Sequence, residues 1–246
     1  MLSTQPQIWS KLCTVRLLAA GTLVSAMISP AWSARPMTTD DARFTDPFGC
    51  QIETWARREP GPPRATEFWV LPACNPTGNL EITLGGATRQ ELGEPRKSTI
   101  QAQLKTILIP LATDGFGLGL AAGFLRQDGR DAPARPFHNA YFYVPMSQGF
   151  ANDRFVIHIN IGASYDRNDG RTSRTWGIGS EAAITPRVYF IAETYGDGTG
   201  APFRHAGFRF WIVPNRLQLD ATYGQRAGET SSRWMSVGMR VLFPPK

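Results

Sequence analysis

The chain closes with RWMSVGMRVLFPPK, Arg233 to Lys246. Taking every second residue, Met235, Val237, Met239, Val241 and Phe243 fall on one side, and Ser236, Gly238 and Arg240 fall on the other. A period of two is the side-chain period of a β-strand. Five apolar side chains in a row on one face and a cation on the other make a poor soluble edge strand. They suit a strand with one face in an apolar solvent and one in a polar interior.

The same alternation recurs upstream. RFVIHINIGASYD places Phe155, Ile157, Ile159, Ile161, Ala163 and Tyr165 opposite His158, Asn160, Gly162, Ser164 and Asp166. HAGFRFWI places Ala206, Phe208, Phe210 and Ile212 opposite Gly207, Arg209 and Trp211, and RLQLDATYG places Leu217, Leu219, Ala221 and Tyr223 opposite Gln218, Asp220 and Thr222. Roughly twelve such segments run near 49–57, 66–74, 77–88, 97–109, 115–125, 137–146, 154–166, 172–184, 187–196, 204–213, 216–226 and 233–243. An even number brings both ends of the strand array to one side. The connections alternate between short or proline-bearing turns (NPT, PLATD, SQGFAND, TPR, PNR) and longer loops rich in charge or glycine. Hydrocarbon offers no partner to a backbone amide, so strands can cross it only as a closed cylinder without edges. The expected fold is therefore all-β, a closed antiparallel transmembrane β-barrel of about twelve strands spanning 49–243.

The first 33 residues are set apart from that barrel. Lys11 and Arg16 precede an apolar run of 13 residues, Leu17 to Ser29, and small residues follow at Ala31, Ser33 and Ala34. This is the layout of a signal peptide cleaved after Ser33 or Ala34. A short periplasmic segment over 34–48 and a C-terminal tail over 244–246 complete the expected organisation. Loss of Lys11 and Arg16 takes the basic count from 26 to 24 against 20 acids, near +4. That mild excess fits neither a nucleic-acid binder nor a polybasic lipid anchor.

Of the three cysteines, Cys13 leaves with the signal peptide, so Cys50 and Cys74 are the expected disulfide of an exported chain. They begin the first strand and end the second, positions that an antiparallel hairpin brings together. Two cysteines with His138, His158 and His205 scattered along the chain do not make a metal site. No P-loop or nucleotide fingerprint is present, GFGLGLAAG over 115–123 reads as a strand, and no cofactor is expected.

Ser236, Gly238, Val241 and Phe243 also resemble the C-terminal signal read by the bacterial outer-membrane barrel assembly machinery, although that pattern normally ends at the aromatic and here Pro244, Pro245 and Lys246 follow. Trp55, Trp69, Trp176, Trp211 and Trp234 are candidates for interfacial aromatic girdles. From about Cys50 to Phe243 the chain resembles a Gram-negative outer-membrane barrel family of transporters, also described as meta-pathway of phenol degradation proteins. The likeness rests on QIETWARREPG, NLEITLGG and AETYGDGTGAPFRHAGFRFWIVPNRLQLDATYG. It implies an outer-membrane barrel without naming a cargo; the expected partners are outer-membrane lipid, the barrel assembly machinery and a small hydrophobic or anionic solute.

The lumen face carries the candidate site. A hairpin centred between Pro214 and Asn215 sets Arg209 opposite Asp220, and Glu193 and Arg240 share the polar face, which suggests a lumen charge ladder across neighbouring strands. No catalytic residue is assigned. His158 and Ser164 lie about 20 Å apart along an extended strand and cannot act as a pair. His138 with Asn139 matches no motif of the outer-membrane lipid hydrolases. Three readings stand: a porin-like barrel passing or binding small solutes, without covalent chemistry; an outer-membrane lipid-modifying enzyme; and a soluble periplasmic lipocalin-like protein.

Overall fold

The structure, a computed structural model, describes residues 37–128, 139–167, 170–198, 200–229 and 232–245. Twelve strands follow one another: β1 Cys50–Glu59, β2 Ala65–Cys74, β3 Glu81–Glu91, β4 Lys97–Ile109, β5 Phe116–Asp128, β6 Asn139–Phe150, β7 Phe155–Asp166, β8 Arg171–Thr185, β9 Val188–Gly196, β10 Phe203–Val213, β11 Leu217–Arg226 and β12 Arg233–Phe243. Each pairs antiparallel with its sequence neighbours, and β12 pairs with β1 to close the barrel. The closing register runs from Cys50 opposite Phe243 to Arg58 opposite Met235. No strand edge is left unpaired, as a sheet without water around it requires.

The alternation read along β12 is a division between outside and inside. Met235 and Val237 are 63% and 62% exposed, whereas their neighbours Trp234 and Ser236 are 3% and 5% exposed. The outward row continues through Leu84, Ile100, Leu120, Phe142, Ile161 and Phe208, all exposed. In water, leaving a side chain of this size uncovered forgoes roughly 2 kcal/mol of burial, so a continuous belt of them marks a surface meant for lipid. Inside, the packed apolar cluster is Trp55, Trp69, Leu71, Ala87, Ala121, Leu125, Tyr141 and Tyr143. Trp55 and Trp69 face each other across β1 and β2 and stack with ring centroids 5.3 Å apart. The tryptophans expected in interfacial girdles are thus divided: Trp55, Trp69 and Trp234 are buried in the interior, and Trp176 alternates with the buried Gly177 on the outward side of β8. Period-two reading assigns faces correctly to each strand, but tryptophan is large and amphipathic enough to serve on either face.

Strand boundaries follow the sequence expectation within a few residues, and the departures have local causes. β6 continues to Phe150 because its turn is carried by Ala151, Asn152 and Asp153, all with φ of 57°, rather than by the whole of SQGFAND. β3 starts later than expected because residues 75–80 fold back on Asn75. Asn75 is fully buried, its side chain donates to the Thr45 carbonyl (3.0 Å), and its Oδ1 accepts from Leu80 N (3.2 Å). That turn, 75–80, is longer than the opposite-side loop 60–64, so length alone does not separate the two sets of connections. Cys50 and Cys74 are cross-strand partners at the end of the barrel where β1 begins and β12 ends, and they form a disulfide.

The segment expected at 34–48 as a periplasmic stretch is placed differently where it is described. Met37, Thr39, Asp41, Ala42 and Thr45 are all buried, and their partners are inward-facing strand residues. Residues 37–45 therefore lie within the barrel, and 46–48, exposed, lead from them to β1. The polar interior supplies hydrogen-bond partners for an irregular backbone, which outside the barrel would have to come from water. Residues 1–33, where a signal peptide is expected, and His138 lie outside the described residues.

Candidate functional site

Two polar networks lie on the inner face of the barrel. The first joins strand to strand. Arg209 on β10 is opposite Asp220 on β11, its Nε donates to Asp220 Oδ1 (3.1 Å) and its Nη2 to Oδ2 (3.0 Å). Its remaining nitrogen, Nη1, reaches Glu181 on β8. Gln218 Nε2 donates to both Asp220 oxygens, at 3.2 and 3.0 Å. His158 Nε2 lies 3.7 Å from Glu181, and His158 Nδ1 is 2.8 Å from Ser147 Oγ on β6. Across the β12–β1 seam, Arg240 Nε donates to Gln51 Oε1 (2.7 Å) and stands 3.4 Å from Glu53. A bidentate guanidinium–carboxylate pair in such a setting is among the stronger and more directional contacts available to a side chain.

The second network joins strands to the internal segment. Both Glu193 oxygens accept backbone amides, one from Thr38 and one from Thr39 (2.5 and 2.6 Å). Glu81 Oε2 accepts from Thr45 N (2.9 Å) and Thr45 Oγ1 (2.6 Å). Ser147 Oγ accepts from Ala42 N (2.8 Å). Lys105, with 1% of its side chain exposed, places Nζ 2.8 Å from Asp40 Oδ2 and 3.6 Å from Asp41 Oδ1. Tyr143 Oη donates to Asp40 Oδ2 (2.9 Å). Asn160 holds the backbone of the same residue, its amide nitrogen 2.8 Å from Asp40 O and its oxygen 2.8 Å from Asp40 N. Two glycines leave room for this passage: a Cβ on Gly177 would stand 2.5 Å from Thr39 Oγ1, and one on Gly179 would stand 2.5 Å from Met37 Cε.

The four residues of the expected ladder are thus divided between jobs. Arg209 and Asp220 are bonded to each other. Arg240 turns away from them to β1, and Glu193 serves the segment, with His205 Nε2 3.2 Å from it. Ser236, Gly238, Val241 and Phe243 sit on the closing strand, with Ser236 Oγ 2.6 Å from Thr222 Oγ1 and Phe243 opposite Cys50.

Sequence reading passed over Glu181, Ser147, Lys105, Glu81 and Tyr143. Alternation marks each as inward, but the target shared by Ser147, Lys105, Glu81 and Tyr143, the segment at 37–45, carries no strand period to announce itself, and Glu181 meets Arg209 only across the intervening β9. Ser147 was also the missed partner of His158, one strand away in space and 11 residues away in sequence. Hydroxyl, imidazole and carboxylate do line up in Ser147, His158 and Glu181. Ser147 and His158 are each 1% exposed, Ala42 N donates to the serine hydroxyl, and Arg209 holds the carboxylate. Among the described residues no group of three or more His, Cys, Asp or Glu is arranged to hold a metal ion.

A closed antiparallel barrel with an apolar outside and a polar inside is the fold of solved outer-membrane β-barrels. The KdgM porin superposes with a TM-score of 0.58 at 8% identity, covering 78% of this chain and 98% of the porin. The NanC porin gives 0.53 at 12% identity, covering 80% and 100%. The COG4313 outer membrane channel from Pseudomonas putida F1 gives 0.53 at 9% identity, covering 82% and 98%. The chain belongs to the family described as uncharacterised conserved protein UCP029691, which matches residues 22–243. No curated protein matches it in sequence.

Proposed function

We propose that the protein is an outer-membrane channel that passes or binds small solutes without covalent chemistry, held shut by its own N-terminal segment. The observation that carries this reading is the division of the wall into a lipid-compatible outer face and a largely polar inner face that bears buried charges, with residues 37–45 lodged inside. In this reading residues 1–33 are a cleaved signal peptide and the disulfide end of the barrel faces the periplasm, where disulfides are made. The strand bearing Ser236, Gly238, Val241 and Phe243 is then the one presented to the assembly machinery, and the exposed belt meets outer-membrane lipid. The likeness to the transporter family of phenol meta-pathway proteins, carried by QIETWARREPG and the β9–β11 stretch, supports a role in solute uptake. The aromatic interior of Trp55, Trp69, Tyr141 and Tyr143 gives a weakly polar wall that suits a small organic solute.

The test compares the full-length protein with a variant lacking residues 37–45, both fractionated and run with and without boiling. A heat-dependent shift in the outer-membrane fraction, and solute entry into liposomes that rises on deletion, are expected. A protein found free in the periplasm, or liposomes equally tight with both forms, would overturn the reading.

A further inference from the structure

Asp40 belongs to the chain's own internal segment, and its surroundings form a site for a carboxylate. One oxygen, Oδ2, takes Lys105 Nζ and Tyr143 Oη, and the other, Oδ1, takes Asp41 N at 2.9 Å. Lys105 and Tyr143 are both buried and both project from the barrel wall, whereas the carboxylate they hold is supplied by the segment that closes the lumen. A buried ammonium must keep an anion close, because desolvation without a partner costs far more than the pair returns. Glu81 is the cross-strand neighbour of Lys105, with its Oε2 on Thr45 and 3.4 Å from Gln51 Nε2; the segment brings Asp40 to 2.8 Å and Asp41 to 3.6 Å from Lys105 Nζ, and Asp40 is the nearer and the one that Tyr143 also holds. An anion arriving in the lumen with the same geometry would satisfy the same two wall groups and release the segment from them.

We infer that Asp40 occupies the binding site of the transported solute, that the solute is a small carboxylic acid, and that it opens its own path by competing with Asp40 for Lys105 and Tyr143. This rests on the channel reading above and names its solute class. The competition is reciprocal: whatever weakens the hold on Asp40 strengthens the apparent affinity for the acid, and the reverse.

Benzoate and its neutral isostere benzamide are the probes. Uptake of each is measured in proteoliposomes of the full mature chain, and benzoate binding by calorimetry in detergent. Asp40→Gly should speed benzoate entry by about tenfold and bind benzoate measurably, with a smaller gain for benzamide. Adding Lys105→Gln to Asp40→Gly removes both charges of the pair together, which keeps the interior balanced, and should abolish the preference for the acid. Tyr143→Phe on the Asp40→Gly background, which removes only the hydroxyl, should weaken benzoate by about threefold while heat-modifiability stays unchanged. Equal gains for benzoate and benzamide with no calorimetric binding would overturn the carboxylate site and leave a channel. Benzoate binding that depends on Lys105, with neither probe crossing, would support the site and overturn the channel. Neither binding nor entry would overturn both.

Discussion

Arg209 and Lys105 are both inward-facing, both buried and both ion-paired, yet they belong to different structures. The Arg209 partners, Asp220 and Glu181, stand on β11 and β8, so its bonds tie the wall to itself. The partners of Lys105, Asp40 and Asp41, come from the internal segment, so its bonds tie the wall to a segment that the proposed channel must release to open. The choice of side chain matches the job. A planar guanidinium can bridge two carboxylates in fixed geometry, while an ammonium is a point charge that accepts any anion in reach. One polar face therefore carries a framework and a latch, and substitutions should separate them.

The largest effect is expected at the framework. Arg209→Ala leaves Asp220 and Glu181 without their shared cation in a buried setting and should cost about 3–5 kcal/mol of barrel stability. Denaturant unfolding in detergent micelles, or a lowered temperature for the boiled-gel shift, reads this out. If Arg209→Ala instead left the barrel as stable as before and merely opened it, the distinction between framework and latch would fail.

The disulfide is the covalent part of the same framework. Cys50 and Cys74 are separated by 24 positions, and closing a loop of that length in the unfolded chain stabilises the fold by about 3 kcal/mol. Cys50→Ser with Cys74→Ser should lower unfolding stability by that order with solute entry unchanged. An increase in permeability would show that the β1–β2 hairpin also helps to hold the segment, which runs past it through the Phe48 N to Asn75 O bond (2.8 Å).

How far each network could be read in the sequence follows from its physics. The framework obeys the strand period and the hairpin register: centring the turn between Pro214 and Asn215 sets Arg209 opposite Asp220, where the structure bonds them. The disulfide follows from hairpin ends in the same way. Glu181 was harder, because β8 is not next to β10 and only the curvature of a closed barrel brings them into reach. The latch was not legible. MTTDDARFTDPF over 37–48 is polar and aperiodic, its backbone is held by side chains rather than by a ladder, and a local pattern gives no hint that Glu193, Glu81 and Lys105 converge on it.

The latch should respond to loss of charge at its best-formed contact. Glu193→Gln keeps the shape but replaces a carboxylate taking two amides with a group having one acceptor oxygen. The hold on Thr38 and Thr39 should weaken by about 2 kcal/mol, which moves the closed-to-open ratio by about 30-fold. In planar bilayers this appears as longer and more frequent open episodes, with unfolding in detergent close to wild type. A variant as silent as the parent but less stable would place Glu193 in the framework instead.

The smallest expected effect tests the latch without touching a charge. Gly179 faces the segment, and a methyl there would fall 2.5 Å from Met37 Cε, the far end of a flexible side chain that can swing aside. Gly179→Ala should therefore cost only about 1 kcal/mol, raised against the closed state alone because an emptied lumen offers the methyl nothing to strike. The open fraction should rise by about fivefold, and barrel unfolding should not change. By contrast, Gly86→Ala would set its methyl 2.1 Å from the Thr99 carbonyl of the neighbouring strand, where only the wall can move, so it should lower stability and leave conductance alone. Two glycine-to-alanine changes with opposite readouts separate framework from latch by steric volume alone. If both lowered stability equally, the segment would be as fixed a part of the barrel as its strands.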